Sequence, residues 1–218
     1  MKNNLQTKII LASSSALFTS AKINDYLNKI ITEYKIAYIT TASNEVPDTK
    51  YIKRRMKMMD RLNYKYQPVD IAKYNLDELE NILIKYDLIF VEGGNTFYLL
   101  KMIRRSGFDK IIKKLLNKGI VYVGLSAGSY VATPSIITAT WSKRGFDRCD
   151  VKNYQAMNLV PFLVKAHFNA SKDCHYIKKA KKLSKPVRFL NDDQAIIVSK
   201  GEYILIGDGE GIVVNNEK

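Results

Sequence analysis

The stretch Gly124-Leu125-Ser126-Ala127-Gly128 puts one serine between two glycines, directly after the apolar run of residues 121–123. A hydroxyl is a weak nucleophile, and one device that activates it is a sharp strand-to-helix turn that lifts it clear of a sheet edge. Such a turn crowds its neighbours, so they must be small, as Gly124, Ala127 and Gly128 are. The Ala127 amide would face the same space from the start of a helix, where a backbone N–H can stabilise a developing oxyanion. The plainer reading is a turn of small residues that only lets helix and strand pack closely. A second glycine turn, Gly93-Gly94-Asn95, follows the buried-strand pattern of residues 87–91. Its backbone can approach a ligand and present amides to it. Equally, it can be a simple entry into a helix capped by Asn95 or Thr96.

A serine needs a base, and the chain holds two histidines, His167 and His175. His167 follows an apolar run and stands at or just beyond a strand end, which makes it the expected base. His175 opens a basic helix and is the weaker candidate. The two cysteines, Cys149 and Cys174, form no Cys-x-x-Cys pair, and no His/Cys cluster has zinc-ligand spacing. Neither a metal nor another cofactor is expected.

Around these residues the pattern alternates short apolar runs with amphipathic segments, which predicts β-α-β-α order and a mostly parallel sheet covered on both faces. Strands are expected at 8–13, 36–41, 64–69, 87–91 and 119–124, then at 136–139, 164–166, 189–198 and 203–207. Ser20 is expected to cap a helix reaching about Ile30. Ile52, Met56, Met59 and Leu62 stand at helical spacing, as do Phe97, Leu99, Leu100 and Ile103. Helices are also expected over 76–83 and 109–117. Both glycine turns would then lie at carboxyl ends of strands, where open α/β sheets bind ligands.

Composition bounds the partners. The 218 residues fit one α/β domain over 1–218. A net charge of +14 would suit an anionic partner, but the basic residues are spread through nearly every segment. With no helix-turn-helix, RNA-binding sheet motif or zinc finger, nucleic acid is not expected as a partner. The first twenty residues carry only a four-residue apolar run, 9–12, and no stretch is long enough to span a bilayer. The expectation is a cytoplasmic protein without a membrane partner, monomeric or homodimeric.

Taken in order, Val91-Glu92-Gly93-Gly94-Asn95-Thr96-Phe97, Gly124-Leu125-Ser126-Ala127-Gly128-Ser129 and the stretch from Asn158 to His167-Phe168 resemble peptidase E (aspartyl dipeptidase) and its cyanophycinase relatives. The likeness runs from the first strand to about Val198. It implies a three-layer, flavodoxin-like sheet, a Ser126 nucleophile with His167 as base, and an oxyanion hole from the amides of Gly94 and Ala127. Short peptides are the implied substrates, bound with help from Asn95 and Lys181. Two departures stand out. The family's triad acid, counted forward from Ser126, falls on Trp141; counted back from His167, it falls near Gly145, which makes Asp147 the expected acid and Asp150 the reserve. The family's substrate-binding arginine has no counterpart in 178–185, which carries lysines, so preference for an acidic N-terminal residue is left open. A missing acid would instead suit a catalytically silent binding protein. Class I glutamine amidotransferases share the architecture but place cysteine where Ser126 stands.

Overall fold

The computed structural model describes residues 8–19, 21–142 and 147–215. Five strands, β1 (Lys8–Ala12), β2 (Lys35–Ile39), β3 (Lys65–Val69), β4 (Leu88–Val91) and β5 (Val121–Leu125), run parallel in the order β3-β2-β4-β5-β1. Two short strands, β6 (Leu163–Lys165) and β7 (Val187–Phe189), pair parallel in a separate sheet. The main sheet is extended past β1 by β8 (Ala195–Ser199) and β9 (Glu202–Ile206), both antiparallel to their neighbours. The last strand, β10 (Ile212–Val214), joins β7 in the small sheet.

Alternation along the strands explains the layers. In β1, Ile9 and Leu11 point into one apolar cluster, and Ile10 and Ala12 into another. The second cluster is closed by Phe18 of α1 (Ala16–Thr19), by Ile23, and by Met59 of α2 (Lys50–Arg61). The first is closed by α3 (Leu76–Leu83), α4 (Thr96–Ser106), α5 (Phe108–Asn117) and α6 (Ala127–Ala132). The result is the expected three-layer α/β fold with a mostly parallel sheet. Two short helices, α7 (Ala170–Asp173) and α8 (His175–Ala180), follow β6, and α8 packs on the small sheet through Tyr176 and Ala180.

Three local expectations change. Residues 136–139 are not a strand: Ile137–Trp141 forms a 3-10 turn. Its threonines bond to backbone, Thr138 Oγ1 to the Val164 carbonyl and Thr140 Oγ1 to the Ile137 carbonyl, which favours a turn over a ladder. Residues 189–198 are not one strand. The chain leaves the small sheet after Phe189, turns through Asn191-Asp192-Asp193, and enters the main sheet at Ala195. The segment after the first strand is a 3-10 helix over Ala21–Tyr26, while Ser20, its expected cap, lies outside the described residues, as does Gly145.

Candidate active site

Strand β5 runs into Ser126, whose backbone sits at φ 47, ψ −102. That region is costly for a residue with a Cβ and persists only when the surroundings over-determine it. Here they do. The Ser126 amide donates to the Ala12 carbonyl of β1, and the Ser129 hydroxyl sits within bonding distance of the carbonyls of Ala12 and Gly124. The Tyr122 hydroxyl donates to the Gly128 carbonyl. The flanking glycines are required by contact. A Cβ on Gly128 would lie 2.3 Å from the Val91 carbonyl oxygen, and one on Gly124 would lie 2.5 Å from the Gly128 carbonyl. Gly128→Ala must therefore push α6 off the sheet. It is expected to lower stability by about 1–3 kcal/mol or more in a urea melt, since overpacking against backbone has no side chain to relax.

The glycine turn after β4 abuts this serine. A Cβ on Gly93 would sit 3.2 Å from the Ser126 Cβ and 3.8 Å from its Oγ. Gly94 has φ 145, and a Cβ there would meet the Ala42 carbonyl oxygen at 2.3 Å. The Asn95 amide donates to that same carbonyl. The Asn95 side chain caps α4, accepting from the amides of Phe97 and Tyr98 at 3.0 Å each. Its amide oxygen thus serves the helix end, and Asn95 is not among the residues lining the cleft. Ala127 opens α6, and the first amides of a helix have no intrahelical acceptor.

Beyond β6 the chain brings His167 over Ser126. His167 has φ 56, and its own amide donates to the Ser13 hydroxyl at 2.7 Å. Its Nε2 lies 2.9 Å from Ser126 Oγ, and its Nδ1 lies 2.5 Å from Asp192 Oδ1. Asp192 also accepts from the Ser13 hydroxyl at 3.2 Å, while the Ser14 hydroxyl donates to its carbonyl. The turn that carries Asp192 is tied down by Asn191 and the buried Gln194. Gln194 Oε1 accepts from the Asn191 amide, and its Nε2 donates to the Gly209 carbonyl. Hydroxyl, imidazole and carboxylate thus form one hydrogen-bonded chain, an arrangement that can move a proton off the serine.

The expected acid is therefore corrected. Asp147 does not reach His167: its two carboxylate oxygens accept from the amides of Cys149 and Val151, closing a local loop. Asp150 is exposed and pairs with Lys152. Trp141 stacks on Tyr176. His175 leans on the Tyr176 ring, away from the cleft lining.

The cleft has a volume of about 470 Å³ and is lined by Gly94, Ser126, His167 and Asp192, with Lys165, Asp173 and Tyr176 on its wall. Lys181, expected to bind substrate, caps the far end of α8, is exposed and does not line it. Lys165 lines it instead. It is buried, its Nζ donates to the Ala166 carbonyl at 2.9 Å and lies 4.9 Å from the Tyr176 ring centre. Burial lowers its pKa to about 8, opposed by the nearby negative charge of Asp173. Among the described residues, no group of three or more His, Cys, Asp or Glu side chains could hold a metal ion, and no helix is long and apolar enough to cross a membrane.

The model of peptidase family S51 matches residues 9–206. The chain belongs to this family. An uncharacterized peptidase of Listeria monocytogenes is 32% identical over 160 residues, covering 70% of this chain and 78% of that one. Peptidase E of Nostoc is 23% identical over 98% of this chain and 88% of its own length. A 1.5 Å crystal structure from Listeria monocytogenes, provisionally a peptidase E, superposes with a TM-score of 0.78 at 27% identity, covering 94% of this chain and all of that one. A peptidase from an acI-B1 actinobacterium shares the fold, with a TM-score of 0.69 at 17% identity over 97% of this chain and 92% of that one. The S51 chain described here is thus a peptidase.

Proposed function

We propose that this S51 peptidase is a single-domain serine exopeptidase that cleaves short peptides with a free, preferentially acidic N-terminal residue. The observation that carries this reading is the unbroken chain from Ser126 Oγ to His167 Nε2 at 2.9 Å and from His167 Nδ1 to Asp192 at 2.5 Å. Ser126 attacks the scissile carbonyl while His167 takes its proton, and the amides of Gly94 and Ala127 receive the oxyanion. His167 then returns the proton to the leaving amine, and water releases the acyl group by the same path in reverse. Asp192 holds the imidazole in the tautomer that leaves Nε2 free to accept. A missing acid would favour a silent site; the Asp192 carboxylate beside His167 Nδ1 supports the catalytic reading instead.

The cleft wall supports the substrate class. Lys165 offers a buried cation to a carboxylate, and Asp173 offers negative charge to a free α-amine. Below about pH 8 the Lys165 amine is protonated and can pair with an aspartate side chain; above it the amine is neutral and the pairing is lost. Accordingly kcat/KM for Asp-Leu should fall as pH rises through about 8, relative to Ala-Leu, which shares every other titration including that of the substrate amine. Lys165→Met should remove this difference and raise KM for Asp-Leu by about tenfold to a hundredfold, the value of one charge-assisted hydrogen bond. A panel of dipeptides, each free and N-acetylated, tests the reading as a whole. Hydrolysis of free Asp-Leu above Ala-Leu, with acetyl-Asp-Leu spared, is expected. Equal cleavage of the acetylated peptides would overturn the exopeptidase assignment.

A further inference from the structure

Behind the Gly93-Gly94 turn lies a buried charged network that the proton relay does not use. Glu92 is 3% exposed, yet both carboxylate oxygens are engaged. Oε1 accepts from the Gly93 amide at 2.8 Å; Oε2 accepts from the Tyr38 hydroxyl at 2.6 Å and from Arg55 Nε at 3.1 Å. Arg55 lies on α2, and Tyr51, four residues earlier and so on the same helix face, donates its hydroxyl to the Gly93 carbonyl at 3.0 Å.

That last bond bears on the oxyanion. The Gly93 carbonyl and the Gly94 N–H belong to one planar trans peptide, so they point in opposite directions. A donor clamped on the carbonyl fixes the plane, and with it the direction of the N–H on the other side. It also polarises the peptide, which makes that N–H a stronger donor. Glycine at 94 cannot hold the plane by itself, because its own φ of 145 is one that only a residue without a Cβ adopts freely. We propose that Tyr51 is a positioning residue for the oxyanion-binding amide of Gly94, held in place by the Arg55–Glu92 ion pair. The proposal rests on the serine peptidase reading of Ser126. Burial and the charge of Glu92 both raise the Tyr51 pKa, so the hydroxyl remains a donor through the working range of the enzyme.

The test uses diisopropyl fluorophosphate, whose phosphoryl oxygen needs the same amides, together with steady-state cleavage of Asp-Leu. Tyr51→Phe keeps the ring and removes only the hydroxyl. It is expected to slow phosphorylation of Ser126 by the reagent and lower kcat by about tenfold, with KM unchanged and the pH profile of labelling unmoved. The size is less than the hundredfold or more for deleting an oxyanion donor, since the donor is misaimed and not lost. Tyr66→Phe is the control: its hydroxyl bonds to Met56 and Asp60 of the same helix without touching Gly93, so its rates should match wild type. If Tyr51→Phe does not fold, Glu92→Gln, which removes the charge holding Arg55, should give the same loss in kcat. Wild-type labelling rates in Tyr51→Phe, or equal losses in Tyr51→Phe and Tyr66→Phe, overturn the proposal while leaving Ser126 as nucleophile. Wild-type protein that does not label at all overturns both.

Discussion

Ser126→Ala is expected to abolish peptide hydrolysis, with kcat falling by about four to six orders of magnitude. The size follows from what is removed. The hydroxyl is the only group the substitution deletes, and its oxygen is the one proposed to form the acyl-enzyme bond. The fold should survive, because the turn already selects small residues and the Ser126 amide keeps its bond to the Ala12 carbonyl. Among the described residues, the Ser126 hydroxyl bonds to His167 alone, at a partly open site. Steady-state assays on Asp-Leu, paired with a urea melt, check both halves. A folded variant that turns over at the wild-type rate would remove Ser126 from the mechanism.

Asp192→Asn carries the second large effect, a loss of about 10⁴ in kcat. An asparagine in this turn can still reach His167 Nδ1, but its amide can donate there, which favours the tautomer with the proton on Nε2. Nε2 would then face Ser126 with a hydrogen instead of a lone pair. The amide also lacks the charge that stabilises the imidazolium. Asp147→Asn is the natural comparison. It should leave kcat near wild type and cost about 1 kcal/mol of stability, since its carboxylate serves the amides of Cys149 and Val151 and no part of the relay. A stopped-flow or plate assay on the two variants side by side decides between them. The reverse ranking would return the acid to Asp147.

The contrast between these two aspartates shows which parts of the site are written locally in the chain. Gly124-x-Ser126-x-Gly128 is legible because every constraint on the turn falls on adjacent residues, and the glycine contacts with Val91 follow from the strand pairing of β4 with β5. His167 was reachable by elimination between two histidines. Asp192 was hidden by its setting. The apolar residues on both sides of Asn191-Asp192-Asp193 invite a single strand, whereas those three residue types are turn formers and mark where the chain changes sheet. Read as a turn at a strand's carboxyl end, the segment would have offered a carboxylate in the right place. Ser13, which ties the His167 backbone to Asp192, was visible only as one of several small hydroxyl residues in a loop, because its partners lie more than 150 residues away.

Lys165 went unseen for a different reason. In the run Leu163-Val164-Lys165-Ala166 a lysine suggests a solvent-facing position, and periodicity does not report that the facing cleft is enclosed by Tyr130 and Tyr176. The family resemblance points to the lysines of 178–185 as standing where a substrate-binding arginine is expected, yet Lys181 caps the end of α8 and does not line the cleft. The layered sheet itself was legible from the short apolar runs of β1, β2, β4 and β5, buried almost throughout, alternating with amphipathic segments. The exceptions, residues 136–139 and 189–198, are places where hydroxyl-to-backbone bonds or a change of sheet override the apolar pattern.

The central claim is that Ser126 is a nucleophile activated by His167, and covalent capture tests it without knowledge of the physiological peptide. Folded protein treated with a fluorophosphonate, digested and mapped by mass spectrometry should carry one adduct, on Ser126. His167→Ala should lose the adduct, and His175→Ala should keep it. No adduct on folded wild-type protein, or an adduct on any residue other than Ser126, would contradict the account.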